Sequence, residues 1–251
     1  MRAENDNAKP LLLVSDIDDT LTGDPAALRR LWQVLELHRG RLKIALNSSR
    51  PAPSVDETLR SYFPVTFAPD AVITGLGTEI RLQGMLLASW SQQFDAWPDV
   101  QIREAVLKMG HTPHDAVFQT PGKASFAVPG QEQADLVIQR LNDAGFSFKH
   151  IFSGKSDLDI LAPEAGKDAA MRYLADHLGI ALQDTIAAGD SGNDLALFEA
   201  AGKAIAVGNA RPELVAAMPK DKTYHAAAHH AAGVLEGLAA FNAIPRSDVE
   251  N

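Results

Sequence analysis

The 251-residue sequence contains no cysteine, which excludes disulfides and thiol chemistry. It also lacks any long apolar run. Its hydrophobic stretches are short and interrupted, and the opening "MRAENDNAKP" is polar with no apolar h-region behind it, so neither a spanning helix nor a secretory signal is expected. A cytoplasmic location is the resulting expectation. Positive charge is in deficit: 23 Lys and Arg face 32 Asp and Glu, a formal net charge of -9. Such a chain is repelled by nucleic acid and by anionic membranes, so neither is expected as a partner. An anionic small substrate would need positive charge supplied locally by its site. A monomer is expected.

Apolar segments and helical patterns alternate from the start. "LLLVSDI" reads as a buried strand, and Asp24 followed by Pro25 opens a helix whose Leu28, Leu31, Trp32 and Leu35 recur at helical spacing. "RLKIALNSS" is a second strand, Ser54 is positioned to cap the helix "VDETLRSYF", and "DAVITG" is a third strand. Short buried strands separated by helices predict an α/β fold with a doubly wound parallel sheet. From about Leu82 the rhythm changes. A hairpin turning near Gly84, the helix "VQIREAVLKMG", the alternating "KASFAV", the amphipathic "QEQADLVIQRLNDAG" and the strands "FSFKHIF" and "DLDILAP" predict a separate α+β unit. After Pro163 the βα alternation returns. The expected division is a core over 1–82 and 160–251, interrupted by an α/β cap over 83–159.

"LLLVSDIDDTLTG" runs a buried strand straight into Asp16, Asp18 and Asp19, and like charges gathered there call for a cation or hydrogen-bond donors. Taken alone, Asp18 and Asp19 read equally well as solvated turn or cap residues. Three more stretches fall at the ends of predicted core strands or at helix starts: Ser48-Ser49-Arg50, Lys167, and Gly189-Asp190-Ser191-Gly192-Asn193-Asp194. Ligands of open α/β sheets bind beyond the carboxyl ends of the strands, so these dispersed residues can share one crevice. Each has an ordinary reading as a loop serine, a surface lysine or a capped turn. Their conjunction in this order carries far more weight than any one alone.

In this order and context the four stretches resemble the motifs of the haloacid dehalogenase superfamily of phosphatases, in its branch with a type IIB α/β cap inserted after the third core strand. "GDPAAL", "GLGTEI", "SGKSDLDILAP", "GDSGNDLALFE", "GNARPEL" and "AAGVLEGLAAF" are similar to the sucrose-phosphate phosphatase-like family, over nearly all of the chain beyond residue 10. One departure is visible. Where the family has Thr-Gly-Arg this chain has Ser48-Ser49-Arg50, which keeps the hydroxyl and adds a side chain beside the phosphate.

The resemblance implies a Rossmann-like core and a set of roles. Asp16 would be the nucleophile that forms an aspartyl phosphate, and Asp18 the general acid and base. Mg²⁺ would be held by Asp16, by Asp190, by the backbone carbonyl of Asp18, and by Asp194 through water or Lys167. Ser48, Ser49 and Lys167 would hold the phosphoryl oxygens. Asp19 would be a turn residue. The cap would read the sugar through Lys123, Lys155 and Asp159, with Glu79 at the hinge side. The implied reaction is Mg²⁺-dependent hydrolysis of a phosphorylated disaccharide, with sucrose 6-phosphate first and mannosylfructose phosphate second. A sugar phosphomutase and a non-catalytic sugar-phosphate-binding protein are the alternatives of other classes.

Two further groups stand out. His225 and His229, with His230 beside them, would suit zinc if helical, although an alanine-rich setting without carboxylates favours a solvated helix face. Trp32, Trp90 and Trp97 read as packing, the last two with the option of facing a sugar.

Overall fold

The computed structural model describes residues 9–250, and two sheets organise them. The strands in chain order are β1 (Leu11–Ser15), β2 (Leu42–Asn47), β3 (Ala71–Thr74), β4 (Glu79–Leu82), β5 (Met85–Leu86), β6 (Thr112–Pro113), β7 (Lys123–Ala127), β8 (Lys149–Ser153), β9 (Asp157–Leu161), β10 (Thr185–Gly189), β11 (Lys203–Ala206) and β12 (Thr223–His225). The larger sheet has the order β12-β11-β10-β1-β2-β3-β4-β5. All its neighbours from β12 to β3 are parallel, with an antiparallel pair of strands at one edge. The smaller sheet, β6-β7-β9-β8, is wholly antiparallel.

The parallel strands are buried on both faces, which is why they read as apolar runs. One face packs Val14, Ala187 and Ala204 against the helix Lys167–His177. The other packs Leu13, Ile44 and Ile205 against the helices Pro25–Leu37 and His230–Ala240. A third core lies inside the small sheet unit, where Phe126, Leu158 and Ile160 meet Ile102 and Val137 of the helices Asp99–Lys108 and Gln131–Asp143. Asp24 caps the first helix as its sequence predicts: its Oδ1 accepts from the amides of Ala26 (2.8 Å) and Ala27 (3.1 Å), with Pro25 in the first turn.

Three expectations are corrected. The hairpin turning at Gly84 does not open the small unit. Its first strand pairs with β3 and so extends the large sheet. Ser54 is not a cap: the helix starts at Ala52 behind Pro51, and the Ser54 hydroxyl accepts from the Arg50 guanidinium instead. His225 and His229 do not share a helix face. His225 ends β12, a strand not expected from the sequence, and the helix begins only at His230. Trp90 packs, as its sequence reading favours. It is buried against Phe94 and Tyr173 and donates its Nε1–H to the Gly77 carbonyl, while Trp97 donates to Ser147. No described helix is long and apolar enough to cross a membrane.

Candidate active site

At the carboxyl end of β1 the chain turns sharply. Asp16 is the first residue past the strand, and Asp19 adopts a left-handed conformation (φ 58°) that short polar residues tolerate. The Asp19 carbonyl is held by Asn209 Nδ2 (2.7 Å) and lies 2.8 Å from His230 Nδ1. Asp19 is therefore a turn residue, while Asp16 is directed into the interior.

Asp16 meets residues from the far part of the chain. Lys167, the first residue of its helix, donates from Nζ to Asp16 Oδ1 (2.7 Å), Asp194 Oδ1 (2.7 Å) and Asn193 Oδ1 (2.8 Å), using all three ammonium hydrogens. The helix start is held close by Gly77, at φ +84°, because a Cβ there would collide with the Gly166 carbonyl. Asp194 is fully buried and its second oxygen accepts from the amides of Asp190 (3.2 Å) and Ser191 (3.3 Å). Gly189 makes room for it: a Cβ at that position would lie 2.5 Å from Asp194 Oδ2. Asp190 accepts from the Thr20 hydroxyl at 3.2 Å, and Arg211 Nε lies 3.7 Å away.

Three buried carboxylates thus cluster beside one ammonium that pairs with two of them, Asp16 and Asp194. Oxygen atoms of Asp16, Asp190 and Asp194 all lie within 4.8 Å of one another. Burial pushes the Asp16 carboxyl up to about 7, against the pull of Lys167 and with the repulsion of Asp194 adding to it. Burial and then Asp194 raise Asp190 to about 6. Lys167 is held protonated: burial opposes its charge, but Asp16 and Asp194 outweigh that and raise it above the ordinary lysine value. The donor set is all oxygen and carries an excess of negative charge, which fits a hard divalent cation. Asp194 has both oxygens engaged, whereas no donor among the described residues reaches Asp16 Oδ2, and Asp190 Oδ2 has only the long Arg211 contact.

Ser48 is buried at the end of β2, where its hydroxyl accepts from the Arg50 amide (3.1 Å), and Asn47 Nδ2 ties β2 to the Lys167 carbonyl at 3.0 Å. Asp18 lies outside the carboxylate cluster. Its side chain is 52% exposed and its Oδ2 is 2.8 Å from Arg50 Nε.

A cleft of about 230 Å³ opens between the two sheets. On the core side it is lined by Ser49, Arg50, Leu76 and Asn193, so it borders the partners of both Asp18 and Lys167. On the other side stand Lys123 and Asp159, both buried, with Nζ to Oδ1 at 3.5 Å and Ser125 donating to Asp159 at 2.6 Å. A second hollow of about 540 Å³ shares Ile151, Ser153 and Asn193 with it.

Glu79 and Lys155 are not among the residues that line this cleft. Glu79 accepts from the Thr74 hydroxyl within the core sheet (2.9 Å), and Lys155 is exposed in the turn after β8. Conversely, His114, Phe118 and Asp157 line it without having been singled out from the sequence. His114 Nε2 is 3.1 Å from Asp157 Oδ1 and its ring lies beside Phe118. The only signal they offered was an aromatic between two short strands.

A family model described as sucrose-6F-phosphate phosphohydrolase matches residues 9–242. Sucrose-phosphatase 1 of Nicotiana tabacum is 33% identical over 96% of this chain, and the chain spans 61% of that relative's length. Mannosylfructose-phosphate phosphatase of Agrobacterium fabrum is 32% identical over 95% of this chain and 100% of its own. The X-ray structure of the sucrose-phosphatase from Synechocystis sp. PCC6803 in complex with sucrose and phosphate superposes with a TM-score of 0.83. The two are 30% identical, and the match covers 93% of this chain and 98% of that one.

Proposed function

Because the chain belongs to the sucrose-6F-phosphate phosphohydrolase family, we propose that it is a phosphoric monoester hydrolase acting on a phosphorylated disaccharide, with sucrose 6-phosphate as the first candidate. The observation that carries this reading is the Lys167 ammonium gripping Asp16 and Asp194, with Asp190 beside them, at the strand ends bordering a polar cleft. Mannosylfructose phosphate is the second candidate, favoured by a relative of that specificity matched over its whole length.

In this reading Asp16 attacks phosphorus, the P–O bond to the sugar breaks, and the sugar oxygen leaves with a proton from Asp18. Water then attacks the aspartyl phosphate with Asp18 accepting its proton, which releases phosphate and restores Asp16. For this Asp18 must leave Arg50 and turn toward the cleft, a movement its exposed position allows. Lys167, exchanging its bond to Asn193, would join Ser48 and Ser49 in holding the phosphoryl oxygens at the start of a helix, where backbone amides and the helix dipole favour an anion. Asp16, Asp190 and the carbonyl of Asp18 would hold Mg²⁺, with Asp194 fixing Lys167 and the loop beneath. When bound, the ion neutralises charge on the phosphoryl group.

The small-sheet unit, which begins beyond the Gly84 hairpin, would form the cap that reads the sugar through Lys123 and Asp159. Neither Lys155 nor Glu79 has cleft contacts to support the same role. The proposal includes a cytoplasmic monomer with a small-molecule partner, in keeping with the net charge of -9. The test is phosphate release from sucrose 6-phosphate and from mannosylfructose phosphate with Mg²⁺, together with peptide mapping of Asp16 after acid quench. Phosphate release without any labelled Asp16 peptide would replace the covalent route with direct attack by water. No release from either ester would remove the functional assignment.

A further inference from the structure

The small sheet has two unlike faces. Side chains alternate along a strand, and Ala124, Phe126, Leu158 and Ile160 point toward the helices as the core of the unit. The intervening Lys123, Ser125, Asp157 and Asp159, with Ile151 and Ser153 of β8, line the cleft instead. This wall of hydroxyls and charges suits a hydroxylated ligand. Among the described residues that line the cleft, only His114 and Phe118 carry rings.

Both rings are held in place. His114 follows the edge strand β6, and its amide donates to the Ser125 carbonyl (2.9 Å), which sets it beside Ser125 of β7. Gln119 fastens the loop that follows. Its side-chain amide donates to the carbonyls of His114 (2.9 Å) and Ser125 (2.9 Å), and its Oε1 accepts from the Ser125 amide (2.9 Å). Phe118, the residue before Gln119, thereby keeps its ring 5.8 Å from that of His114. An exposed aromatic on a loose loop is ordinary, but this one is fixed at a cleft with a hydrogen-bonding ring beside it.

The chemistry of the pair is defined by its neighbours. His114 Nε2 lies 3.1 Å from Asp157 Oδ1, and a carboxylate there favours the proton on Nε2. Nδ1 has no partner among the described residues and is left as an acceptor for a hydroxyl. Deeper in the cleft, Lys123, Ser125 and Asp159 are buried and bond to one another. His114 is half-buried and Phe118 exposed, so the rings stand toward the opening, beside a residue two positions, or about 7 Å, beyond Lys123 along β7. A hexose ring has C–H groups on its faces and hydroxyls around its rim. It can cover the phenyl ring and bond to His114 at once.

Charge selects a neutral ring. Asp157 and Asp159 stand on this wall, while the cations Arg50 and Lys123 are engaged with Asp18 and Asp159. A second phosphate or a carboxylate would meet uncompensated negative charge.

We infer that His114 and Phe118 form a subsite for the second, unphosphorylated hexose ring of a disaccharide phosphate: Phe118 covers its apolar face and His114 accepts from one of its hydroxyls. The inference rests on the hydrolysis proposed above and names the residues that set a disaccharide ester apart from a monosaccharide one.

Two measurements on the full chain test it. The first is binding without turnover. Sucrose, mannosylfructose and fructose are each titrated in chelator with inorganic phosphate, and saturation transfer from the protein to the sugar protons is followed. At least one disaccharide should bind about tenfold more tightly than fructose, which lacks the second ring, and Phe118→Ala and His114→Ala should each remove most of that advantage. Phe118→Tyr keeps the ring and should bind as the parent does, which assigns the loss in Phe118→Ala to the ring and not to a disturbed loop. The second is turnover with Mg²⁺. In Phe118→Ala the ratio of kcat/KM for sucrose 6-phosphate to that for fructose 6-phosphate should fall by about tenfold, chiefly through KM for the disaccharide ester. The inference is overturned if neither disaccharide binds more tightly than fructose, or if both alanine variants bind the disaccharides as the parent does. Absence of turnover by the unmodified protein would remove the phosphatase reading, while the binding comparison would still decide the subsite.

Discussion

Asp16 and Lys167 form a pair whose members cannot be exchanged for neutral groups without different consequences. Replacing Asp16 by Asn keeps the volume and leaves a carbonyl to accept from Lys167 Nζ at the 2.7 Å position, so the fold should persist. The amide is a poor nucleophile, and turnover should fall to background, by at least about a thousandfold if chemistry limits the rate. Retention of the parent melting temperature together with loss of phosphate release is the expected pair of results. Substantial steady-state turnover by pure Asp16→Asn would exclude Asp16 as the attacking group. Lys167→Met is the converse case. It leaves Asp16 and Asp194 buried without their cation, and removing one partner of a buried pair costs about 3–5 kcal/mol. This variant should lose both stability and activity, and metal-free thermal denaturation should show the difference from Asp16→Asn directly.

At the scale of elements, the site depends on how the 75–77 turn seats the helix that starts at Lys167. Gly77 has a positive φ and lies against the Gly166 backbone, so Gly77→Ala is strained in conformation and must push the helix start outward. Lys167 would move with it and loosen its hold on Asp16. We expect lower stability and a kcat reduced about tenfold or more, with KM for the sugar phosphate less affected because Lys123 and Asp159 lie on other strands. An unchanged kcat would show that the helix start tolerates the shift. The dependence explains what could be read from the sequence. Asp16, Ser48, Lys167 and Asp190 each sit at the end of a strand or the start of a helix, so locating the elements was enough to bring them together. The cap wall was less legible. His114 and Phe118 lie around a two-residue strand, and their approach to Asp157 is set by tertiary packing rather than by any local pattern. Glu79 and Lys155 are charged residues in plausible places. One is drawn into a bond with Thr74, and the other sits in an outward turn. The edge strand β12 is only three residues long, too short to show a period, and so its His225 could be taken for a helical residue.

For the whole molecule, the carboxylate cluster links stability, pH and metal. An unfolded aspartate ionises near 3.8, whereas burial lifts Asp16 to about 7 and Asp190 to about 6. Between those values the folded protein holds protons that the unfolded chain has released, so metal-free stability should fall as pH rises from about 4 to about 7 through these two groups. A divalent cation needs the same oxygens deprotonated, and its affinity should rise over the upper part of that window. Thermal denaturation at about pH 5 and about pH 8, with Mg²⁺ and with chelator, reads both effects: the Mg²⁺-induced increase in Tm should be larger at the higher pH. An equal increase at both would mean that the ion binds elsewhere.

Substrate choice also belongs to the whole molecule, because it needs both sheets. Phosphate contacts from Ser48 and Lys167 would accept any monoester, so selectivity must come from the far wall of the cleft. Lys123 and Asp159 are there, 3.5 Å apart and almost fully buried, with Ser125 oriented onto the carboxylate. Polar groups fixed in this way reject a ligand that cannot answer their hydrogen bonds far more strongly than an apolar pocket rejects a smaller one. A phosphorylated disaccharide should therefore exceed glucose 6-phosphate and fructose 6-phosphate in kcat/KM. Asp159→Asn keeps the shape but removes the charge facing Lys123, and should cut that preference by about tenfold to a hundredfold, the worth of one charged hydrogen bond. Slow hydrolysis of a small generic phosphate ester should survive, since the carboxylate cluster is untouched. The deciding measurement is kcat/KM across both disaccharide phosphates, both monosaccharide phosphates and the generic ester. Equal values for the unmodified protein would leave a phosphatase whose cap excludes water without selecting the sugar. A drop in Asp159→Asn equal for every ester would mean that the pair supports the cap's fold rather than its specificity.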